Sequence, residues 1–537
     1  MTSEPATPHD ASHDARRAAP HDTPSHWHQA LWILAASLVV RLALGAITPL
    51  YADETYYWEW SRQIAFGYFD HPPVVAWMVA AGTQLLGETP LGVRFFAILA
   101  GSVGGFAIVR TACHLAGESA ARFAALIVAL MPLMAGGLAL ATPDATLFAG
   151  VSYALYGVTR AVDPVEEPRA ALGYWMLAGV AIGVAMLSKL TGVLVPLGVV
   201  LAFAAEPSLR RHFATPGPWL AVAMASLLML PFLIWNADHD WISFRFQLQH
   251  GLGAEGRGNW ASREFSLVWS QIGVATPILL GLFVVAVARA LRVSRALRAP
   301  REPMRFVLAT VALTVLLFFI ASATRRPVEP NWPAISWMAA IILLASARPL
   351  ARTRVERWGV GLAGTISVLA LAHVVVPYLP VPPRRDPTIK SHGWPALASA
   401  VDSARTALAG RAPRVAPAVA VNRYQDAALL AYHLSDRQPV FALNLGARKN
   451  QYDLWPQFGE RAARGATILL VVDARNESSA TLPATIARLA PHFARFERGP
   501  LVALARGDAV FGHRRLWVLT GWTGTWPADS TDLLTTR

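Results

Sequence analysis

Long apolar segments recur along this chain and constrain its fold more than any other feature. A helix needs about 20 mostly apolar residues to cross a bilayer, and the sequence offers about eleven such segments, give or take two. They lie near residues 30–50, 93–113, 120–140, 144–162, 172–188, 190–205, 217–236, 266–288, 305–322, 331–347 and 357–378. Only 15% of the residues are charged, against about 25% in a typical soluble domain. We therefore predict a polytopic α-helical membrane protein.

The apolar density falls after about residue 380, where a second kind of pattern begins. Short segments with strand-like and helix-like spacing alternate there: 414–421 and 466–474 indicate buried strands, and 425–434 and 482–489 indicate helices. We predict a transmembrane domain over residues 27–380 and a soluble α/β domain over 381–537. The apolar run 74–86 is too short for a span and favours a helix at the interface.

Residues 1–26 contain no apolar run and are rich in His, Asp, Pro and Ser. This composition is typical of a disordered tail, and the first apolar segment is long enough to span a bilayer instead of serving as a signal peptide. The histidines of the tail could bind a metal, but their irregular spacing favours solvated residues. We predict a cytoplasmic tail.

Arginine placement predicts the orientation, because cytoplasmic loops carry the excess of basic residues. With a cytoplasmic N-terminus, the inner loops would hold Arg110, Arg122, Arg160, Arg169, Arg210, Arg211, Arg289, Arg292, Arg295, Arg298, Arg301, Arg305, Arg348, Arg352, Arg354 and Arg357. The net charge of +13 then reflects membrane topology and implies no nucleic-acid partner. An odd number of spans would put the C-terminal domain outside, and the single cysteine, Cys113, excludes a disulfide framework.

The segment 51–73, YADETYYWEWSRQIAFGYFDHPP, is the first candidate site. Carboxylates near a bilayer are expensive, so Asp53 and Glu54 are either solvated residues or part of a reaction. A carboxylate near apolar walls has a raised pKa and can act as a general base toward an acceptor hydroxyl or amine. An N-cap role for Asp53 is the structural alternative. Asp144, in the helix-start signal Thr-Pro-Asp, is predicted on the same side and would orient the acceptor or share a metal.

Three basic residues predicted on the outer side oppose the positive-inside rule: Lys189, Arg325 and Arg326. An anion should compensate them, and a lipid-linked phosphate is the ligand we expect; snorkelling to lipid headgroups is the alternative for any one of them. His71, beside Asp70 and two prolines, could contact the same phosphate or, with Asp70, bind a divalent metal.

Aromatic and polar residues near the predicted outer surface suit sugar binding by stacking and hydrogen bonding, although Trp is also a common membrane anchor. The sugar-binding candidates are Tyr57, Asp70, His239, Asn331 and Trp332. The sequence contains no P-loop, HExxH or GxSxG motif, so a P-loop nucleotide site and serine hydrolysis lack support. No cofactor is required, and a divalent metal stays an open alternative.

Several of these motifs together resemble a known family. DETYYWEWSRQIAFGYFDHPP, TPD, SKLTG and PNWPA are similar to motifs of the polyprenyl-phosphate-sugar glycosyltransferases of the membrane GT-C class, which include family 39, the protein O-mannosyltransferase-like proteins and the aminoarabinose transferases. The resemblance covers roughly residues 27–380, and NQYDLWP at 450–456 also looks like a segment of bacterial members. It implies a GT-C fold with an inverting displacement at the anomeric carbon of a sugar on a polyprenyl phosphate.

Carried onto this sequence, the resemblance makes Asp53 the general base or acceptor-orienting acid, with Glu54 beside it and Asp144 as the second-loop acid. Lys189, Arg325 and Arg326 would hold the donor phosphate. His71 stands where aminoarabinose transferases have lysine, which argues against aminoarabinose as the donor sugar.

The implied protein is a glycosyltransferase of the bacterial inner membrane that acts on the periplasmic side. Its partners would be the bilayer, a polyprenyl (undecaprenyl) phosphate sugar donor, and an envelope acceptor such as lipid A, another glycolipid or a protein. A transporter or flippase of lipid-linked sugar, and a ligase or polymerase of lipid-linked oligosaccharides, are the alternatives.

Overall fold

The computed structural model of the protein describes residues 25–253, 259–296, 303–347, 353–411, 417–445, 448–474 and 482–527. Nearly all of the predicted tail, and the predicted inner-loop residues Arg298, Arg301, Arg348 and Arg352, lie outside the described residues. The tail and the arginine-based orientation therefore stay predictions.

The first part of the chain is helical, and four of its first eight helices begin with a proline. The helices are α1 (His26–Ile47), α2 (Ala52–Ser61), α3 (Val74–Leu86), α4 (Pro90–Ala116), α5 (Glu118–Leu130), α6 (Pro132–Gly137), α7 (Pro143–Ala161) and α8 (Pro168–Ser188). Proline occupies the first position of α4, α6, α7 and α8, where its missing N–H costs no helical hydrogen bond.

The helical part continues to Val375 with a similar alternation of long and short helices. These are α9 (Leu194–Ala205), α10 (Pro207–Arg210), α11 (Pro216–Asp238), α12 (Ile242–Leu252), α13 (Trp260–Ala275), α14 (Pro277–Ala296), α15 (Pro303–Ala323), α16 (Ala334–Ser346) and α17 (Arg354–Val375). Short 3-10 helices at Leu190–Val193 and Arg211–Ala214 precede α9 and α11. After α11 the chain forms α12, and α13 begins beyond residues 254–258, which lie outside the described residues.

Within the described residues, six helices are long and apolar enough to cross a membrane: α1, α4, α8, α11, α15 and α17. The number rises to eight if each of two bent helix pairs counts as one span. The predicted span 266–288 is such a pair, bent by 103° where Thr276 adopts a φ of 70°. The predicted segments 120–140 and 331–347 contain helices of only 13 residues, α5 and α16. The figure of about eleven spans stays a prediction.

The helices pack around a core in which small residues allow close approach. Every residue of α16 is buried. A Cβ added at Gly150 of α7 would lie 2.7 Å from the Ala181 carbonyl oxygen of α8, and one at Gly179 of α8 would lie 2.4 Å from the Ala221 carbonyl oxygen of α11. Glycine is therefore required where these backbones touch, as in helix pairs packed within membranes.

The C-terminal part combines helices with a mixed sheet. Its elements are α18 (Trp394–Arg411), β1 (Ala418–Val421), α19 (Tyr424–His433), β2 (Phe441–Ala442), α20 (Phe458–Arg461), β3 (Ile468–Asp473), α21 (Ala484–Leu489), β4 (Phe493–Arg506) and β5 (Ala509–Trp522). Among the described residues the sheet order is β2-β1-β3-β5-β4, with β2, β1 and β3 parallel and β5 antiparallel to both β3 and β4. The strands predicted at 414–421 and 466–474 correspond to β1 and β3, although residues 412–416 lie outside the described residues.

The C-terminal part packs directly on the loops of the helical part. Helix α19 contacts α2, the Tyr432 hydroxyl donates to the Glu88 carbonyl oxygen at 3.1 Å, and Arg437 forms an ion pair with the Glu88 carboxylate. Gln451 accepts a hydrogen bond from the Phe69 amide at 2.7 Å. These contacts bring residues of the C-terminal part close to the segment 51–73.

Candidate active site

A cavity of about 710 Å³ lies where the loops of the helical part meet the C-terminal part. Eight residues singled out from the sequence line it: Asp53, Tyr57, Asp70, His71, Asp144, Lys189, Asn331 and Trp332. Four do not: Glu54, His239, Arg325 and Arg326. The cavity therefore brings together residues that are far apart in the sequence, and their functional roles are considered below.

Asp53 opens into this cavity from the first turn of α2. The helix begins at Ala52 with Tyr51 as its N-cap, so the alternative N-cap role for Asp53 is wrong. Within the described residues the Asp53 carboxylate has no hydrogen-bond or ion-pair partner. Its side chain is exposed to the cavity, yet the surrounding protein limits its hydration. Burial raises the pKa of Asp53, and the charges of Asp70 and Glu54 raise it further.

Glu54, predicted as a catalytic partner of Asp53, points away from the cavity and is 1% exposed. Its two carboxylate oxygens accept hydrogen bonds from Arg94 at 2.7 and 2.5 Å. One oxygen also accepts from the Ala141 amide at 2.9 Å and the other from the Tyr51 amide at 3.0 Å. All its acceptor positions are used in tying α2 to α4 and to the segment before α7. The geometry therefore supports a positioning role for Glu54 instead of the predicted catalytic one.

Asp144 lies in the first turn of α7, as its helix-start signal predicts. One carboxylate oxygen is 2.8 Å from the Lys189 ammonium, and the other accepts a hydrogen bond from the Asn331 side chain at 2.6 Å. Lys189 follows the end of α8, and Asn331 precedes α16. Three separate connections thus meet at one acid, whose oxygens are both engaged.

Asp70 is held between the helical part and the C-terminal part. The Tyr56 hydroxyl donates to one carboxylate oxygen at 2.7 Å, and Arg448 forms an ion pair with the other at 2.9 Å. The Tyr56 hydroxyl also accepts from the Gln451 amide at 2.7 Å. Asp70 is buried, and its charge is balanced by an arginine that the sequence analysis did not single out.

One amide group contacts both His71 and the residue before it. The Gln247 side-chain nitrogen donates to the Asp70 carbonyl oxygen and lies 3.4 Å from His71 Nδ1. We assign the ring proton to Nε2, because an amide nitrogen does not accept a hydrogen bond and Nδ1 can accept one from it. Burial lowers the pKa of His71 well below its usual value, and Lys189 acts in the same direction. His71 is a neutral imidazole whose Nε2–H is a donor beside the cavity.

His250 of α12 has the same arrangement. Arg326 Nη2 is 3.2 Å from His250 Nδ1, and a guanidinium can only donate, so the ring proton is again on Nε2. Burial lowers the pKa of His250 to about 3, and the positive charges of Arg326 and Arg448 add to this effect. His250 lines the cavity as a second uncharged donor, and Arg326 acts on the cavity through it.

The residues do not favour the predicted metal site at Asp70 and His71. Both Asp70 oxygens are engaged by Tyr56 and Arg448, and His71 Nδ1 is occupied. Binding a metal at Nε2 would move the ring proton to Nδ1, where it would face an amide N–H. In the part of the chain that the structure describes, no group of three or more His, Cys, Asp or Glu is arranged to hold a metal ion.

Two further predicted site residues lie outside the cavity. Arg325 is exposed and donates to the Leu252 carbonyl oxygen at 3.3 Å. His239 stacks on Trp235 with the ring centroids 4.0 Å apart, and its Nδ1 is 2.8 Å from the Trp235 carbonyl oxygen. Neither side chain lines the cavity, so the structure does not place them at a ligand bound there.

Comparisons with known proteins find similarity to sugar transferases. The family described as dolichyl-phosphate-mannose-protein mannosyltransferase matches residues 70–235. A lipid A galacturonosyltransferase, RgtD, of Rhizobium johnstonii is 26% identical over 351 residues, which cover 65% of this chain and 69% of that protein. The undecaprenyl phosphate-alpha-4-amino-4-deoxy-L-arabinose arabinosyl transferase 1 of Pseudomonas fluorescens is 27% identical over 40% of this chain and 41% of that protein. These similarities identify the chain as a glycosyltransferase that resembles the GT-C class.

Solved structures show the same fold. ArnT from Cupriavidus metallidurans, in its apo state, superposes with a TM-score of 0.61 at 19% identity over 91% of this chain and 97% of that chain. The same protein bound to undecaprenyl phosphate gives 0.61 at 18% identity, with the same coverage. The oligosaccharyltransferase of Archaeoglobus fulgidus gives 0.51 at 12% identity over 83% of this chain and 69% of that chain. The fold of this chain is thus shared with proteins of low sequence identity.

The cavity also contains residues that sequence reasoning missed. They are Tyr56, Gln247, Glu329, Tyr424 and Arg448. Tyr56 stands within a recognised motif, Glu329 immediately precedes PNWPA, and Arg448 comes shortly before the recognised NQYDLWP segment. No spacing rule linked Tyr424 or Arg448 to Asp70, because only the folded chain brings them together.

Proposed function

We propose that this protein transfers a sugar from a polyprenyl phosphate, such as undecaprenyl phosphate, to an envelope glycolipid of the lipid A class. The observation that carries the proposal is the content of one cavity: an unpartnered acid, a lysine, two neutral imidazole donors and an apolar wall. The names of the relatives support the substrate classes, since they include a lipid A galacturonosyltransferase and an undecaprenyl phosphate-dependent arabinosyl transferase.

Asp53 is the general base of the proposed reaction. Its raised pKa brings its basicity closer to what proton abstraction needs, and no described residue bonds to its carboxylate and would have to be displaced. The acceptor hydroxyl loses its proton to the Asp53 carboxylate while its oxygen bonds to the anomeric carbon. The bond from that carbon to the phosphate oxygen breaks on the opposite side, which inverts the configuration. Asp144, whose oxygens are already engaged, holds Lys189 and Asn331 in place.

The donor phosphate leaves as an anion and needs positive or hydrogen-bonding groups more than it needs an acid. Lys189 supplies a charge, and His71 and His250 supply Nε2–H donors that stay neutral at physiological pH because their pKa values are lowered. This assignment keeps the predicted phosphate roles of Lys189 and His71. It gives Arg326 an indirect role through His250 and gives Arg325 none.

The apolar wall of the cavity suits the lipid part of the donor. It is formed by Met186, Leu190, Val193, Leu194, Phe318 and Phe319, next to Lys189. Tyr57 and Trp332 provide ring faces for the sugar. Undecaprenyl phosphate is the ligand of the Cupriavidus ArnT structure, which supports a donor of this kind here.

The membrane orientation is also part of the proposal. We place the N-terminus in the cytoplasm of a bacterium and the cavity and the region 381–537 on the periplasmic side of the inner membrane, with about eleven spans within 27–380. The arginine distribution supports this arrangement. A lipid-linked donor suits a periplasmic site, because transfer from a polyprenyl phosphate requires no nucleotide sugar.

Purified protein in lipid nanodiscs tests the proposal. Supplied with undecaprenyl-phosphate monosaccharides and lipid A, it should yield lipid A one sugar heavier by mass spectrometry, and undecaprenyl phosphate should be released. Envelope lipids from cells with and without the gene should differ by the same mass. Movement of the donor across vesicles without transfer would instead identify a flippase, and use of only diphosphate-linked glycans would identify a ligase or polymerase.

A further inference from the structure

Arg448 reaches the cavity from a firmly anchored segment of the C-terminal part. It stands before the 3-10 helix Gln451–Leu454. The first residue of that helix is fixed by two hydrogen bonds of 2.7 Å, from its amide to Tyr56 and from the Phe69 amide to its side chain. The position of Arg448 relative to the cavity is therefore set by the fold.

The guanidinium of Arg448 is held in one orientation with part of its donor set unused. It lies over the Phe246 ring at 4.6 Å and the Tyr424 ring at 5.6 Å. Nη2 contacts Asp70 at 2.9 Å and the Tyr424 hydroxyl at 3.4 Å. Within the described residues, Nε and Nη1 have no partner, and the side chain is 30% exposed and lines the cavity. A stacked guanidinium with free N–H groups is preorganised to bind an oxyanion.

Arg448 and Lys189 are held by different acids. Arg448 forms its ion pair with Asp70, which also accepts a hydrogen bond from Tyr56, one turn after Asp53 in α2. Lys189 pairs with Asp144 instead. In an inverting displacement the leaving phosphate departs on the side opposite the base, so the cation anchored beside α2 is placed to bind an oxyanion of the sugar or the acceptor, while Lys189 serves the leaving group.

We propose that Arg448 is a specificity-determining residue that binds a second oxyanion of the substrates, distinct from the leaving phosphate. The ligand is either a carboxylate on the donor sugar, as in a hexuronic acid, or a phosphate on the acceptor glycolipid. This inference rests on the proposed function. It also gives the C-terminal part a direct share in substrate recognition.

Steady-state transfer by the wild-type protein and by Arg448→Gln separates the two sources. The donors are undecaprenyl-phosphate hexuronic acid and the matching neutral hexose; the acceptors are lipid A with and without its phosphates. If the sugar carboxylate is bound, the variant raises KM for the hexuronic donor by roughly 10- to 100-fold and changes the neutral donor little. If the acceptor phosphate is bound, the same rise appears for phosphorylated lipid A with either donor.

A uniform loss with every donor and acceptor would overturn the inference, because Arg448 would then only hold Asp70 in place. Arg437→Gln is the matched control: it removes another ion pair between the C-terminal and helical parts, at Glu88, without touching the cavity. If Arg448→Gln is unstable, the double variant Arg448→Gln with Asp70→Asn removes both charges of the ion pair, and Arg448→Lys keeps the positive charge without the planar guanidinium.

Wild-type protein that transfers no sugar from any polyprenyl phosphate would contradict the proposed function itself.

Discussion

The two faces of the short helix α2 differ in whether their carboxylates have partners inside the protein. On one face Asp53 opens into the cavity with no partner among the described residues, and Tyr56 and Tyr57 line the same space. On the other face Glu54 is enclosed by Arg94 and backbone amides, and Trp58 is fully buried. Adjacent carboxylates thus have different surroundings: one acid has no partner among the described residues, as the proposed base requires, and the other is fully hydrogen-bonded inside the protein.

The comparison predicts that changes on the cavity face abolish transfer while stability is retained. Asp53→Asn removes the proposed base but preserves size, so the transfer rate should fall by about 100-fold or more. Thermal unfolding in detergent should stay close to that of the wild type or shift upward, because burial disfavours the charge that is removed. Asp508→Asn, in the exposed turn between β4 and β5, is the control and should leave both quantities unchanged.

The raised pKa of Asp53 also predicts how the transfer rate and the stability change with pH. Because the pKa of Asp53 is raised, the ionised base forms only above the usual carboxyl range, and the rate should rise with pH through that raised pKa. The folded protein binds the proton more tightly than the unfolded chain, so ionisation of Asp53 lowers stability as pH rises through this window. An Asp53→Asn protein with full activity and an unchanged pH profile would exclude the base assignment.

The packed face should respond in the opposite way, through stability. Glu54→Gln or Arg94→Met leaves one buried charge without its partner, and we expect each to lower the free energy of unfolding by about 3–5 kcal/mol. The double variant Glu54→Gln with Arg94→Met removes both charges and should cost less than the sum of the two. Denaturation of purified protein in detergent measures all three values. Strictly additive losses would show that the two side chains act independently and would remove the contrast between the faces.

How far the sequence predicts this site depends on the range of the contacts. Asp53, Asp144 and Lys189 are recognisable because each follows a local signal at the end of an apolar segment. The roles of Asp53 and Glu54 are not separable in the sequence, since the difference comes from Arg94, 40 residues away. Local pattern therefore gives the position of an acid but not whether a distant cation satisfies it.

The C-terminal part shows the same limit for the fold. The buried strands β1 and β3 are visible as short apolar runs, whereas β4, most of whose residues are exposed, and its partner β5, which mixes buried and half-buried residues, were not predicted. The contribution of Arg448 depends on contacts such as Gln451 with Phe69, which are 382 residues apart. Contacts of this range leave no periodic signal in a single sequence.

Glu59 provides a pH test that involves only the packed face. It is 3% exposed with a hydrogen bond from Arg62 at 3.3 Å, and burial raises its pKa to about 7. The folded protein then holds a proton that the unfolded chain releases above about pH 4.5, so stability should fall by on the order of 2–3 kcal/mol between pH 4.5 and 7. Glu59→Gln should flatten this part of the stability profile, whereas the exposed control Glu497→Gln should not. Parallel profiles for the wild type and Glu59→Gln would refute the expectation.

The smallest effect is expected at Thr48, which supports the packed face from the end of α1. Its hydroxyl accepts a hydrogen bond from Arg94 at 2.8 Å and donates to the Leu44 carbonyl oxygen at 2.7 Å. Thr48→Val keeps the shape but removes these bonds, and Arg94 Nη1 still has the Gly45 and Thr48 carbonyl oxygens. We expect a loss of about 1 kcal/mol in unfolding free energy and an unchanged transfer rate, while Thr48→Ser should resemble the wild type. A drop in transfer rate without loss of stability would show that the Glu54–Arg94 pair acts in the reaction and not only in positioning Asp53.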